Sequence, residues 1–422
     1  MEKDEYKFDT YSVHNENDDK SKSCTTPIHS TSSYLFEDAE EAAELFSLKK
    51  KGDIYSRISN PTTRAFEDRI TNLERGVGSV ATSSGMAAIN LVISSLMKEG
   101  ENIVSSSKLY GGTFTLFTHT LPEYGIETKF VDEFIDIERK IDDNTQLVYL
   151  ETIGNPSLEV PDIENISQIA HENEVPLVVD NTFATPYLCN PIQFGADIVC
   201  HSTTKWINGH GNSIGGVVID SGNFDWNTDG FEHIYEQDDS YHGLSFLDEF
   251  GENAFIEYCR AKGLRDFGSC PSPFNSFLNL LGLETLSLRM KKHCKNAEKV
   301  ADFLKEHDKV NWVNYPGLEE HVSHEEAKRY LKNGFGAVIT FGLEGGYRSG
   351  KKLVEEVDLI SLSANLGDTK SLIIHPSSTI HRQLDEEEKE KTGVSDDLIR
   401  LSVGIEDPVD IKNDLCKAFN KI

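Results

Sequence analysis

The chain has 422 residues, of which 41 are Lys or Arg and 71 are Asp or Glu, giving a net charge of −30 with 38% hydrophobic residues. This length accommodates two or three domains around a large core. The charge excludes a nucleic-acid-binding surface and docking to an anionic membrane, both of which need basic residues, and no apolar run approaches membrane-spanning length.

Acidic residues cluster at expected surface positions such as Glu319-Glu320 and Asp385-Glu386-Glu387-Glu388. Such a surface stays soluble in concentrated salt, where screening weakens self-repulsion, so a halophilic, salt-adapted protein is one reading and an ordinary acidic enzyme the other. The seven cysteines are scattered without a CxxC pair. Their odd number argues for reduced thiols rather than a disulfide framework or a zinc site, and no metal is expected. Met1–Thr10 is charged and lacks the apolar segment of a secretory signal, so a cytoplasmic location is expected.

Residues 1–60 are polar and irregular and read as an N-terminal arm, with residues 1–20 as a tail. Asn60-Pro61 then opens a helix, Asn60 as its cap and Pro61 in its first turn, with Phe66, Ile70 and Leu73 on one face. Val80 to Ile89 reads as an entry segment, a tight turn and a helix starting near Gly85, whose free N–H groups form an anion site. Apolar runs at 102–105, 147–150, 177–179, 198–200 and 216–219 alternate with helical stretches such as 163–172. This pattern predicts an α/β fold with a mostly parallel sheet covered on both faces. After residue 271 a long helix runs from Pro271-Ser272-Pro273 through Leu278, Leu281 and Leu286. Strands at 337–341, 360–362, 372–374 and 399–403 follow, and a closing helix starts at Asp407-Pro408 with Ile411, Leu415 and Phe419 inward. The expected organisation is an arm (1–60), a large domain (61–270) and a smaller C-terminal α/β domain (271–422).

The stretch Ser202-Thr203-Thr204-Lys205-Trp206 follows an apolar run and precedes the glycine-rich strip 209–216. A desolvated lysine at a strand end loses its proton readily and attacks an aldehyde, while neighbouring hydroxyls suit phosphate oxygens. Asp180, 25 residues upstream, ends its own apolar run, so both side chains fall at the carboxyl edge of neighbouring strands, where open α/β sheets bind ligands. A carboxylate there either pairs with a pyridine nitrogen or caps a loop. Ser84-Gly85-Met86 offers backbone N–H groups, Tyr110-Gly111-Gly112 a ring at a sharp turn, and Tyr55-Ser56-Arg57 a phenol and a guanidinium; each has an ordinary structural reading as well. His201, Cys200 and His375 read as packing residues.

Taken in order, these segments resemble the Cys/Met-metabolism enzymes dependent on pyridoxal 5'-phosphate (PLP), the cystathionine gamma-synthase-like family of fold type I. The resemblance runs from about Phe8 to the C-terminus. It includes Tyr55–Thr62, Ser84–Ala87, Tyr110–Thr113, Glu151-Thr152-Ile153-Gly154-Asn155-Pro156, Val179–Pro186, His201–Lys205 and Arg400–Glu406. It implies that Lys205 holds PLP as a Schiff base, Asp180 pairs with its ring nitrogen and Tyr110 stacks on the ring. Ser84, Gly85, Met86, Ser202 and Thr204 would hold the phosphate and Asn155 would sit by the ring hydroxyl. Tyr55 and Arg57 would reach the phosphate of a neighbouring subunit in a homo-oligomer, a dimer of dimers. Arg400 would grip the substrate carboxylate.

Within the family the chain is most similar to the O-acetylhomoserine sulfhydrylases. The resemblance rests on the insert Asp225–Arg260 with Tyr241-His242-Gly243-Leu244, on Pro271–Asn275, and on Asn365, a substrate-side position where most of the family has serine. Gly112 stands where methionine gamma-lyases carry cysteine. This implies a gamma-replacement in methionine biosynthesis. Sulfide takes the place of acetate on O-acetyl-L-homoserine to give homocysteine, with Lys205 moving the Cα proton and Tyr110 assisting near the leaving group. Cystathionine gamma-synthase, O-succinylhomoserine sulfhydrylase and methionine gamma-lyase are the alternatives on the same scaffold. A non-catalytic acidic binding protein is the remote one.

Overall fold

The computed structural model describes residues 6–14, 22–380, 382, 389 and 393–422. The acidic run at 385–388 therefore lies outside the described residues. Two sheets organise the chain. The first contains β1 (Gly78–Thr82), β2 (Asn102–Ser106), β3 (Glu127–Val131), β4 (Thr145–Glu151), β5 (Leu177–Asp180), β6 (Ile198–Ser202) and β7 (Gly216–Asp220), in the order β1-β7-β6-β5-β4-β2-β3. Strands β3, β2, β4, β5 and β6 pair in parallel, whereas β7 is antiparallel to both β6 and β1. The reversal has a simple cause. The segment 203–215 contains no crossover helix, and without one the chain returns antiparallel.

The second sheet contains β8 (Val310–Asn314), β9 (Val338–Leu343), β10 (Ser361–Leu362), β11 (Leu372–Ile374) and β12 (Leu398–Ser402), in the order β10-β11-β12-β9-β8. The expected strands are present in both sheets. Strands β3 and β8 are edge strands that the sequence reading passed over, and β1 had been read only as an entry segment. The edge pair mixes polar with apolar residues (Glu-Thr-Lys-Phe-Val and Val-Asn-Trp-Val-Asn) and is only partly buried, so neither shows the uniform apolar run of a central strand.

The helix Pro61–Glu74 is capped by Asn60, whose side chain accepts from Thr62 N–H at 2.9 Å, and Phe66, Ile70 and Leu73 are buried. Pro408–Phe419 is capped by Asp407, with Ile411, Leu415 and Phe419 buried. The long helix expected after residue 271 is two helices, Pro273–Glu284 and Leu286–Lys305, separated at Thr285. Leu286 opens the second helix, and Leu281 in the first is exposed. The second helix shares one continuous apolar core with both sheets.

A second difference concerns the N-terminal tail. Phe8–Val13 forms a helix whose Phe8 ring meets Tyr187 edge-on at 5.4 Å. An aromatic anchor thus ties down part of a polar segment. All seven cysteines are free thiols. No helix among the described residues is long and apolar enough to cross a membrane.

Candidate active site

Strands β4, β5 and β6 end side by side, and the helix Gly85–Leu96 begins beside them. The space between is a cavity of about 220 Å³. Its walls include Ser84, Gly85, Met86, Tyr110, Asn155, Asp180, Ser202, Thr204, Lys205 and Arg400, all of them expected from the sequence.

Sterics set the approach of the helix to β6. A Cβ on Gly85 would stand 2.6 Å from Ser202 Cβ and 2.9 Å from its Cα, closer than real side chains come. Ser84 caps the helix by accepting from Ala87 N–H at 3.1 Å. The Gly85 and Met86 N–H groups belong to the first turn, where no upstream helical carbonyl is available to them, and their positive dipole end faces the cavity. Thr204 Oγ1 accepts from Gly215 N–H at 3.2 Å and donates to Gly215 O at 3.3 Å, which braces the turn that carries Lys205.

Lys205 Nζ donates to Asn365 Oδ1 at 2.8 Å. Burial, and then the neighbouring Arg400 charge, push its pKa down to about 8. Arg400 is itself buried; Nη1 donates to Asn155 Oδ1 at 3.2 Å and Nη2 to Ala364 O at 3.0 Å. Desolvation lowers its pKa to about 10, and no carboxylate pairs with it among the described residues. A buried guanidinium so placed is an open seat for an anion.

Asp180 closes the far side. Its carboxylate accepts from Thr182 N–H at 2.9 Å and from the Tyr149 hydroxyl at 3.4 Å, while desolvation raises its pKa. The Tyr110 ring folds back over Gly112, where a Cβ would lie 2.5 Å from the ring. Glycine at 112 therefore leaves Tyr110 its place at the cavity wall.

Three expected residues do not line this cavity. Asn365 is not among the lining residues, but its Oδ1 accepts from Lys205 Nζ. Tyr55 is exposed, with the Arg57 guanidinium 5.3 Å from its ring centroid, and neither lines its own chain's cavity. His201 also stays out. It is buried against Glu74, Nε2 to Oε1 at 2.6 Å, because β6 turns its side chain away from Cys200 and into the other core layer. Sequence reasoning missed Glu151, Ile153, Thr182 and Phe183 in the walls. For Glu151 a signal existed: it ends the apolar run of β4 as Asp180 ends that of β5, and the two are register partners.

A buried amine, an unpaired guanidinium, a buried carboxylate and a helix start arranged around one cavity fit an aldehyde cofactor bearing a phosphate and a ring nitrogen. Sequence comparison agrees. Residues 9–420 match the family model described as Cys/Met metabolism PLP-dependent enzyme. The chain belongs to this family and is a PLP-dependent enzyme.

Among its relatives, homocysteine synthase of Schizosaccharomyces pombe is 51% identical over 98% of both chains. O-acetyl-L-homoserine sulfhydrylase of Leptospira meyeri is 46% identical over 99% of this chain and 97% of its own. In structure, the chain is similar to a Campylobacter jejuni protein described as an O-acetylhomoserine (thiol)-lyase. That protein is 38% identical, with a TM-score of 0.95 over 98% of this chain and 100% of that one, and it carries N'-pyridoxyl-lysine-5'-monophosphate at its position 205. The metB protein of Corynebacterium glutamicum, 34% identical, has a TM-score of 0.84 over 99% of this chain and 98% of its own.

Proposed function

We propose that the chain is an O-acetylhomoserine sulfhydrylase that replaces acetate by sulfide at Cγ to form homocysteine for methionine biosynthesis. The observation that carries this reading is the pairing of Lys205 with Arg400. A depressed-pKa amine and an unpaired buried guanidinium share one cavity, as an α-amino acid substrate requires. The relatives named homocysteine synthase and O-acetyl-L-homoserine sulfhydrylase support the substrate pair.

In this reading Lys205 carries the cofactor and then moves the proton at the substrate Cα. The modified lysine of the Campylobacter protein supports that assignment. Bound PLP supplies an electron-accepting ring, and Asp180 keeps its nitrogen protonated. Gly85, Met86, Ser84, Ser202 and Thr204 bind the phosphate, Tyr110 covers the ring, and Asn155 lies at the ring hydroxyl while holding Arg400. Arg400 grips the α-carboxylate in its planar fork and aligns the Cα–H bond. Asn365 orients Lys205 from the substrate side.

Among the described residues, the cations lining the cavity are Lys205 and Arg400. With Lys205 engaged by the cofactor and Arg400 by the α-carboxylate, no further lining cation among the described residues is left for the second carboxylate of a succinyl ester. This favours the neutral acetyl group.

The arm pair Tyr55 and Arg57, lying off its own chain's cavity, serves a neighbouring copy in a dimer of dimers. The chain divides into an arm (1–60), a large domain (61–270) and a small domain (271–422), and the two separate sheets support the division between the large and small domains. The surplus of acidic residues suits a salt-rich cytoplasm; activity and melting temperature should hold or rise with KCl, and loss of activity in strong salt removes that part of the reading. The principal test supplies purified protein with acetyl-, succinyl- and phospho-homoserine, each against sulfide and cysteine. Homocysteine from the acetyl ester and sulfide is the expected product, and no turnover of that pair overturns the proposal.

A further inference from the structure

Glu151 is buried at the end of β4 and lines the cavity, yet none of the roles above uses it. Its Oε1 accepts from the Tyr110 N–H at 2.6 Å, and the backbone N–H of Asn155 faces the same carboxyl and favours its charged form. The two N–H groups belong to different segments, one after β2 and one after β4. Tyr110 begins the short helix Gly111–Thr115, and the Asn155 side chain holds Arg400 at 3.2 Å. One carboxyl therefore stands between the turn that carries the ring-covering tyrosine and the loop that seats the guanidinium.

We propose that Glu151 is a positioning residue, which fixes Tyr110 and the Asn155–Arg400 seat relative to one another through the Tyr110 N–H it accepts and the Asn155 N–H that faces its carboxyl. The inference rests on the reading of Arg400 as the α-carboxylate seat. Its neighbour across the sheet is Asp180, whose carboxylate has its own donors in Thr182 N–H and the Tyr149 hydroxyl. Burial, and next the Asp180 charge, raise the Glu151 pKa well above the ordinary carboxylate range. The role needs an acceptor oxygen, which a carboxyl supplies in either protonation state.

The role demands an acceptor at the right reach, and side chains differ in supplying it. Gln keeps an acceptor oxygen at the same distance. Ala removes it, and Asp withdraws it by one methylene. The test uses the PLP-loaded enzyme and three variants, E151Q, E151A and E151D. Readouts are KM and kcat for O-acetylhomoserine, KM for sulfide, cofactor content by visible absorbance, and the absorbance change on titration with L-homoserine in the absence of sulfide. E151A and E151D are expected to raise KM and the homoserine titration midpoint roughly tenfold or more, because a small displacement of a seating group is costly. Cofactor content and the KM for sulfide should stay unchanged. E151Q should remain within about threefold of the parent, the cost of exchanging one acceptor for another.

A wild-type homoserine midpoint in E151A or E151D overturns the proposal. So does a loss in E151Q equal to that in E151A, which would assign the effect to the carboxyl rather than to an acceptor oxygen. If E151A does not fold, E151D and E151Q decide by the same criteria. Failure of the parent to turn over O-acetylhomoserine with sulfide would strike the functional reading alone, since the homoserine titration still reports on the carboxylate seat.

Discussion

Lys205 and Asn365 stand 160 residues apart in the chain and 2.8 Å apart in the fold, the lysine Nζ donating to the amide oxygen. The contact joins the turn after β6 to the segment between β10 and β11, so the second sheet orients the amine of the first. A hydrogen bond from a neutral amine contributes about 0.5–1.5 kcal/mol. Asn365→Ala should accordingly lower kcat about two- to tenfold while leaving cofactor content intact, measured by steady-state turnover beside visible absorbance. Unchanged kcat would show that Lys205 needs no such guide.

The Lys205 amine defines a pH dependence. Its folded pKa of about 8 lies below its ordinary value because burial and Arg400 disfavour the charged form. Colour development on adding PLP to the cofactor-free protein should therefore accelerate with pH to a midpoint near that value. In Arg400→Met the midpoint should move up, since a repelling charge is gone. The stability sign follows from the same shift. Between about pH 8 and the unfolded-state value near 10.4, the unfolded chain binds more protons, so Lys205 makes the cofactor-free protein more stable as pH rises through that window. A midpoint that Arg400→Met leaves in place would refute the coupling.

Arg400 should not tolerate its nearest chemical relative. Its two nitrogens are already oriented by Asn155 and Ala364, and a lysine offers no planar fork to a carboxylate. Arg400→Lys is expected to raise KM for the amino-acid substrate about ten- to a hundredfold with a smaller fall in kcat, read from initial rates at varied substrate. A KM within about twofold of the parent would remove the bidentate seat.

Gly85 is a steric requirement. A methyl group there meets Ser202 Cβ at 2.6 Å, so Gly85→Ala must push the helix Gly85–Leu96 away from β6. The overpacking should cost about 1–3 kcal/mol, and PLP affinity should fall because the helix start moves off the phosphate position. Thermal melting and equilibrium titration with PLP check the two effects. A variant that melts and binds PLP like the parent would show that the helix end is free to shift.

Much of the site was legible before any fold was known, because its residues occupy positions with local signatures. Lys205 follows one apolar run and Asp180 closes another, Ser84-Gly85 is a capped helix start, and Tyr110 precedes two glycines. Period and capping also revealed the helices 61–74 and 408–419, since burial of one face and satisfaction of first-turn N–H groups are local demands. The strands β3 and β8 escaped because edge strands need no uniform apolar run. The break at Thr285 escaped because leucines continue on both sides of it.

What the chain alone determined is the inventory: a lysine just past a buried strand, a strand-end carboxylate, a helix-start anion site and an arginine on a late apolar strand. Only the tertiary structure decided which of these meet. Asn365 reaches Lys205, Asn155 reaches Arg400 across 245 residues, Glu151 accepts from the Tyr110 N–H, and His201 turns into the other core layer toward Glu74. Strand-end identity is written in local hydrophobic pattern, whereas side-chain partnership depends on sheet order and register, which bring together residues with no shared signal along the chain.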